Sequence, residues 1–282
     1  MKNLILILIF VIPFLTESCA QDVGVLGKKD RLTTQKKVIP DNLKKSDNCL
    51  SDDAAYSGAD LLQTLENIAL EATGVTVSSS EINDFGDDAL KQMKESGEYN
   101  FIENGVVLSS LNIMLKELLS VRKNPSGIKY EIHLIEDDNV NAYTVGGHII
   151  ISTGIIEEAN SESALAFIIG HEIGHNEKGH LEQTIKKIKV ANAFIDGSGD
   201  IGVMLQNLVT PAFNQPKEVE ADYYGADVCY ASGYDPRKGI EFWEKLSEKE
   251  NENMIESFLR SHPYSKSRAN CLKQYLKSNY DL

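Results

Sequence analysis

Ile168-Ile169-Gly170-His171-Glu172-Ile173-Gly174-His175 carries the pattern His-Glu-x-x-His. On an α-helix, positions i and i+4 lie on one face, so both imidazoles reach a single ion from the same side. Zinc accepts neutral imidazole nitrogen, and a catalytic zinc keeps three protein ligands plus a position for water. Glu172 then stands where it can take a proton from that water. The run before the motif, Ala164-Leu165-Ala166-Phe167-Ile168-Ile169, is too apolar for a solvated surface helix. A helix that passes from such a run into His-Glu-x-x-His carries its polar groups inside, where they need partners. A metal ion is a sufficient partner; a chance motif on a surface helix is the competing reading.

Working outward, the apolar motif helix starts after Asn160 or Ser161, either of which can cap it. Before it, Ile128, Tyr130, Ile132 and Leu134 alternate with polar residues and share one side of a strand. His133, on the other side, reads as a solvated or hydrogen-bonded strand residue rather than a ligand. Asp137-Asp138-Asn139 turns the chain, Val140 to Tyr143 is extended, and Gly146-Gly147 makes a turn into a second strand, His148 to Ser152. Thr153 to Glu158 forms a short helix. Further upstream, three helices are expected. One begins near Asp52 with a stripe of Ala55, Ala59, Leu62, Leu65, Ile68 and Ala69. The next runs from the cap region Ser78–Glu81 to Ser96 before Gly97, and the third, from Val106, carries Leu108, Leu111, Leu115, Leu118 and Leu119. Downstream, the motif helix is expected to continue as a charged helix to about Ile195. The stretch 201–216 reads equally as cover for the site or as a packed arm.

A third ligand is sought on Glu218-Val219-Glu220-Ala221-Asp222. Glu218 and Asp222 are four apart and share a face, whereas Glu220 points roughly the other way. A glutamate from a second helix completes a His-His-Glu set. Asp222, on the same face, can accept the outer N–H of a ligating histidine and fix its tautomer. Ala221, Gly225 and Gly174 leave room for the two helices to approach. An acidic helix face in an acidic protein is the bland alternative.

The 282 residues carry a formal net charge of −14 and are 42% hydrophobic, enough for a sizeable core. That charge argues against nucleic acid, whose phosphates need clustered Lys and Arg. Met1-Lys2-Asn3 followed by Leu4 to Leu15 reads as an export signal, too short to span a bilayer. Two processing routes compete: cleavage after Ala20 behind a small-x-small pattern, or a lipoprotein signal ending at residue 18 with Cys19 lipidated. Residues 21–50 form a polar tether, or alternatively a strap over the body, and 51–282 a single domain. Cys49 and Cys271 lie near the two ends of that body and are expected to pair, leaving Cys229 as a buried free thiol.

These elements together resemble the M48 family of zinc metallopeptidases, in particular its soluble, exported, lipoprotein-like or Oma1-like members. The resemblance rests on Asn141-Ala142-Tyr143, Gly146-Gly147, the His-Glu-x-x-His with its trailing His180, and Glu218-x-x-x-Asp222 with Gly225. It extends through Ser232-Gly233-Tyr234-Asp235-Pro236 and Ser261-His262-Pro263 with Arg268. It implies an α+β fold, a mainly helical zincin-like domain with a small β-sheet beside the motif helix. It also implies one Zn2+ per chain on His171, His175 and Glu218, Glu172 as general base, and Asp222 as the carboxylate that orients a ligand. His262 matches the family's late histidine near the metal, and Arg268 a structural or site-facing arginine. His180, nine residues after His171, reads as a helix-surface residue. The zincins whose third histidine lies ten after the first are excluded, because Leu181 stands there. No membrane span follows the leader and no tetratricopeptide-like pattern follows the domain, unlike some family members.

The function implied is zinc-dependent hydrolysis of peptide bonds in unfolded or misassembled cell-envelope proteins. The substrate would lie extended along Asn141, Ala142 and Tyr143 or along His148 to Ser152. The location implied is the periplasm, with membrane contact only through an N-terminal lipid at the outer membrane. The alternative is a zinc-containing, non-catalytic binding protein for misfolded clients.

Overall fold

In a computed structural model of the chain, the described residues are 30–45, 67–194, 215–249, 253–262 and 266–282, with Leu26, Cys49, Thr64 and Leu65. The leader, Cys19, the start of the helix expected near Asp52, and residues 201–214 of the stretch read as cover or packed arm lie outside them.

Helix α1, Ser79–Ser96, begins in a capping box: the Ser78 hydroxyl accepts from the Glu81 N–H while the Glu81 carboxylate accepts from the Ser78 N–H. It stops at Gly97, which adopts φ 69°, a left-handed conformation cheap only for glycine. Helix α2, Val106–Leu119, buries Leu111, Met114, Leu115 and Leu118. Leu65 and Ile68, read as part of a buried stripe, are instead exposed (54% and 58%).

Among the described residues, four strands form one sheet: β1 (Phe101–Ile102), β2 (Glu131–Ile135), β3 (Ala142–Val145) and β4 (His148–Ser152), in the order β1-β2-β4-β3. Gly146 and Gly147, with φ 55° and 93°, make a two-residue hairpin turn that needs positive φ at both positions. The hairpin lays β3 antiparallel to β4, and β4 runs parallel to β2. β4 is therefore interior and buried along its whole length, while β3 is an edge. Ile132, Leu134, Ile149 and Ile151 enter the main core, whereas Ile135 and Ile150 pack with Met93 of α1 on the opposite face.

After the short helix α3 (Thr153–Ala159) comes α4 (Glu162–Glu177), capped by the Ser161 hydroxyl, which accepts from the Ala164 N–H. Every residue from Ser163 to Asn176 is buried. A helix apolar or buried all round belongs at the centre of a domain, and α4 lies between the sheet, α2, α6 and α7. The long charged continuation expected from the sequence is broken. α4 ends at Glu177, Gly179 takes φ 74°, and α5 (His180–Phe194) starts in a new direction.

Helices α6 (Gln215–Ala231), α7 (Arg237–Glu248), α8 (Asn253–Ser261) and α9 (Lys266–Tyr280) complete the domain. α6 packs along α4 at a distance that only small residues permit. A Cβ on Gly225 would stand 2.8 Å from the His171 backbone nitrogen, and one on Gly174 would stand 3.0 Å from Ala221 Cα. Residues 30–45 run over the domain as a strap rather than as a free spacer. Asp30 Oδ1 accepts from the Ser163 N–H at 3.1 Å, Lys37 N–H donates to Ala231 O at 2.8 Å, and Ile39 is buried. Just beyond the strap, Cys49 is joined to Cys271 by a disulfide, and Cys229 is a buried free thiol.

Candidate metal centre

α4 carries His171 and His175 one turn apart and both fully buried, with their Nε2 atoms 2.9 Å from each other. α6, held close by Gly225 and Ala221, brings the Glu218 carboxylate against them: Oε2 lies 3.5 Å from His171 Nε2 and Oε1 3.3 Å from His175 Nε2. Ligands at about 2.0–2.1 Å from a tetrahedral zinc stand roughly 3.3 Å apart, so these separations outline one face of such a tetrahedron. His262, at the end of α8, places Nδ1 3.3 Å from His171 Nε2 and 3.2 Å from Glu218 Oε2, on the side of a fourth donor. These four residues form one cluster of potential ligand atoms within 4.8 Å of one another.

The tautomers agree with such a site. Asp222 Oδ1 lies 2.9 Å from His171 Nδ1, so that nitrogen carries the proton and Nε2 presents its lone pair. Arg268 grips two carboxylates of α6, Asp222 and Glu218. Nε and Nη2 donate to Asp222 at 2.5 and 2.9 Å, Nη1 lies 2.8 Å from Glu218 Oε2, and the guanidinium stacks 4.3 Å from the Trp243 ring centre. Burial pushes the Asp222 and Glu218 carboxyls up, but Arg268 and the neighbouring histidines more than offset it and hold both below the usual range.

His180 is not the surface residue the sequence reading expected. The turn at Gly179 brings it back beneath α4, where it is buried with Nδ1 2.9 Å from His175 Nδ1 and Nε2 3.3 Å from Glu220 Oε2. One tautomer set satisfies the chain: His175 Nδ1–H donates to His180 Nδ1, and His180 Nε2–H donates to Glu220. His175 Nε2 is then bare beside Glu218. Glu220, which does face away from Glu218 and Asp222, thus acts through His180; that bond, outweighing burial, lowers its carboxyl to about 2. The signal for this pair was Gly179, a residue that ends helices in the left-handed conformation.

The donor set fits a metal on a direct observation. Glu218 Oε1 is buried, has no hydrogen-bond partner among the described residues, and faces His175 Nε2 at 3.3 Å. Burial lowers the His171 pKa, but hydrogen bonds and charge from Asp222 and Glu218 raise it to about 9, so an ion bound at Nε2 displaces a proton there. Glu172 Oε1 is likewise buried without a hydrogen bond, 3.5 Å from His262 Nε2, and burial holds its carboxyl above the usual range. A carboxyl raised in this way is suited to taking up and returning a proton.

Ala142 of β3 borders the cluster, with its carbonyl oxygen 3.3 Å from His262 Nε2. Asn141 pairs with Ser152: its N–H donates to Ser152 Oγ and its carbonyl accepts from the Ser152 N–H. In an antiparallel ladder these roles alternate, so Tyr143 also faces β4, while the backbone groups of Ala142 and Thr144 point away from β4, where Ala142 is buried against His262. The other stretch expected to hold an extended chain, His148–Ser152, is paired on both sides and has no free edge.

A buried His-Glu-x-x-His helix clasped to a glutamate-bearing helix defines a metallopeptidase-type centre. Residues 109–276 match the model of peptidase family M48, and the chain belongs to that family. It is 28% identical over 201 residues to the mitochondrial metalloendopeptidase OMA1 of Schizosaccharomyces pombe, covering 67% of this chain and 59% of that protein. It is 26% identical over 231 residues to the beta-barrel assembly-enhancing protease of Escherichia coli, covering 74% of this chain and 46% of the relative. With the metalloprotease LoiP of Escherichia coli it shares 27% over 169 residues, 55% of this chain and 66% of LoiP. The chain thus spans about half the length of the first curated relatives it matches.

Proposed function

We propose that this chain is a zinc-dependent endopeptidase that cleaves unfolded or misassembled polypeptides of the cell envelope. The observation that carries the reading is the triangle of His171, His175 and Glu218 donors with the buried Glu172 carboxyl beside it. Those three residues would hold one zinc at this centre, which would supply the Lewis acidity to lower the pKa of a water and polarise the scissile carbonyl. Glu172 takes the proton of the attacking water and returns it to the leaving amine. His262 faces the same space through Nε2, where it can donate to the developing oxyanion. Asp222 and the His180–Glu220 pair hold the two ligating rings in register, and Arg268 neutralises the carboxylates that flank them. The substrate adds a strand along the outer side of β3, at Asn141, Ala142 and Tyr143, with His262 Nε2 leaving the Ala142 carbonyl as it enters, a recognition mode tolerant of side-chain identity.

For the location, the leader-like residues 1–20 and the Cys49–Cys271 disulfide support export. We propose a periplasmic location, with the leader either cleaved after Ala20 or ending at residue 18 so that a lipidated Cys19 anchors the chain at the outer membrane. Among the described residues, no helix is long and apolar enough to cross a membrane.

The test is Glu172→Gln. Zinc at the His171–His175–Glu218 centre is retained and turnover of an unfolded casein falls by about 10²–10⁴-fold. Unchanged turnover would reject the mechanism. Absence of turnover in the zinc-loaded wild type over a panel of unfolded proteins would favour the non-catalytic binding role instead. A second reading concerns His262 alone. Its Nδ1 lies close enough to His171 Nε2 and Glu218 Oε2 to compete for the fourth position. If it latches the site, His262→Ala raises casein turnover; if it serves the oxyanion or the substrate, turnover drops.

A further inference from the structure

We propose that His133, His148 and Glu131 form a second site, for a divalent transition-metal ion, on the face of the sheet opposite α4. The parallel register of β2 and β4 pairs Glu131 with His148 and His133 with Ile150. Glu131 and His133 are two apart on one strand, so they share a face. His148 shares its face with Ile150, which packs with Met93 and Ile135 away from the main core. The three side chains therefore converge between the sheet and α1, using none of the residues of the first centre.

The spacing is that of a ligand set. His133 Nε2 lies 3.0 Å from His148 Nδ1, and Glu131 Oε2 lies 3.8 and 3.9 Å from those two nitrogens. Tetrahedral zinc ligands stand roughly 3.3 Å apart, so Glu131 needs only a small shift of an exposed side chain to close the triangle. Asp87 of α1 adds the feature that distinguishes a prepared site from a chance pair. Its Oδ1 lies 2.9 Å from His148 Nε2, so that nitrogen holds the proton and Nδ1 turns a bare lone pair toward His133. A carboxylate behind a ligating imidazole fixes both tautomer and ring orientation. With no ion, His133 donates its Nε2–H to His148 Nδ1. Ion binding shifts that proton to His133 Nδ1 and frees both facing nitrogens. Two imidazoles and one carboxylate suit zinc, copper or nickel over calcium or magnesium. The ion would clip β2 to β4, and through Asp87 to α1.

The experiment is a metal count on the full chain, stripped of metal, reloaded with a modest excess of zinc or cobalt(II), and desalted. The expected result is two ions per chain for the wild type and one for His133→Gln, with casein turnover retained in the variant. Glu131→Gln, a change at an exposed residue that leaves folding intact, weakens the second ion by about tenfold and leaves the first in place. The cobalt(II) absorption separates into two components, of which only one is lost in His133→Gln. A single ion in the wild type, or two ions that persist in both variants, would overturn the site and leave the pair as an N–H···N hydrogen bond.

Discussion

At the scale of the single residue, the centre depends on which nitrogen of each ring carries its proton. Asp222 settles this for His171, and Arg268 keeps Asp222 ionised in a buried setting. For His175 the same task falls to His180, backed by Glu220. Loss of such an orienting partner typically costs 10–100-fold in metal affinity. His180→Ala is therefore expected to weaken zinc binding by about that factor, with Glu220→Gln showing a smaller loss. Competition against a chromophoric chelator measures both. An affinity unchanged in His180→Ala would mean that His175 is oriented by its helix alone.

At the scale of the element, the decisive contact is α4 against α6. The two helices come together over Gly170, Gly174, Ala221 and Gly225, where side chains would hold them apart. The approach is what carries Glu218 into reach of two rings on the other helix. Gly225→Ala places a methyl 2.8 Å from the His171 backbone nitrogen. Overpacking of this kind costs about 1–3 kcal/mol. The expected outcome is a lower melting temperature in both metal-free and zinc-loaded protein, with a larger drop in the loaded form as Glu218 is pushed from the rings. Equal drops in the two forms would mean that the methyl costs packing alone and leaves the donor triangle intact. The sheet supplies the other element-scale fact: β3 lies at an edge because the Gly146-Gly147 hairpin places β4 inside, against β2.

At the scale of the whole molecule, the disulfide between Cys49 and Cys271 closes a span of 222 residues and ties the region after the strap to the last helix. Removing a native disulfide typically costs about 2–5 kcal/mol, chiefly by freeing the unfolded chain. Replacing both cysteines with alanine is expected to lower the unfolding free energy by about that amount, read from urea titrations. The denatured, unreduced wild type then shows one reactive thiol, from Cys229, once Cys19 is removed or acylated. What could be read from the chain alone follows from local geometry. The i, i+4 spacing puts His171 with His175 and Glu218 with Asp222 on shared faces, Ser78 and Gly97 bound α1, and two consecutive glycines make the β3–β4 turn. These readings work because backbone periodicity and positive φ are properties of a few neighbouring residues. The return of His180 beneath α4, the hold of Arg268 on two carboxylates, and the burial of β4 between two partners required the packed molecule. So did the approach of His262 to His171 across 91 positions and the meeting of His133 with His148. Such contacts join segments whose separation along the chain carries no periodic signal, and only the close packing of helices and strands around one core brings them within hydrogen-bonding distance.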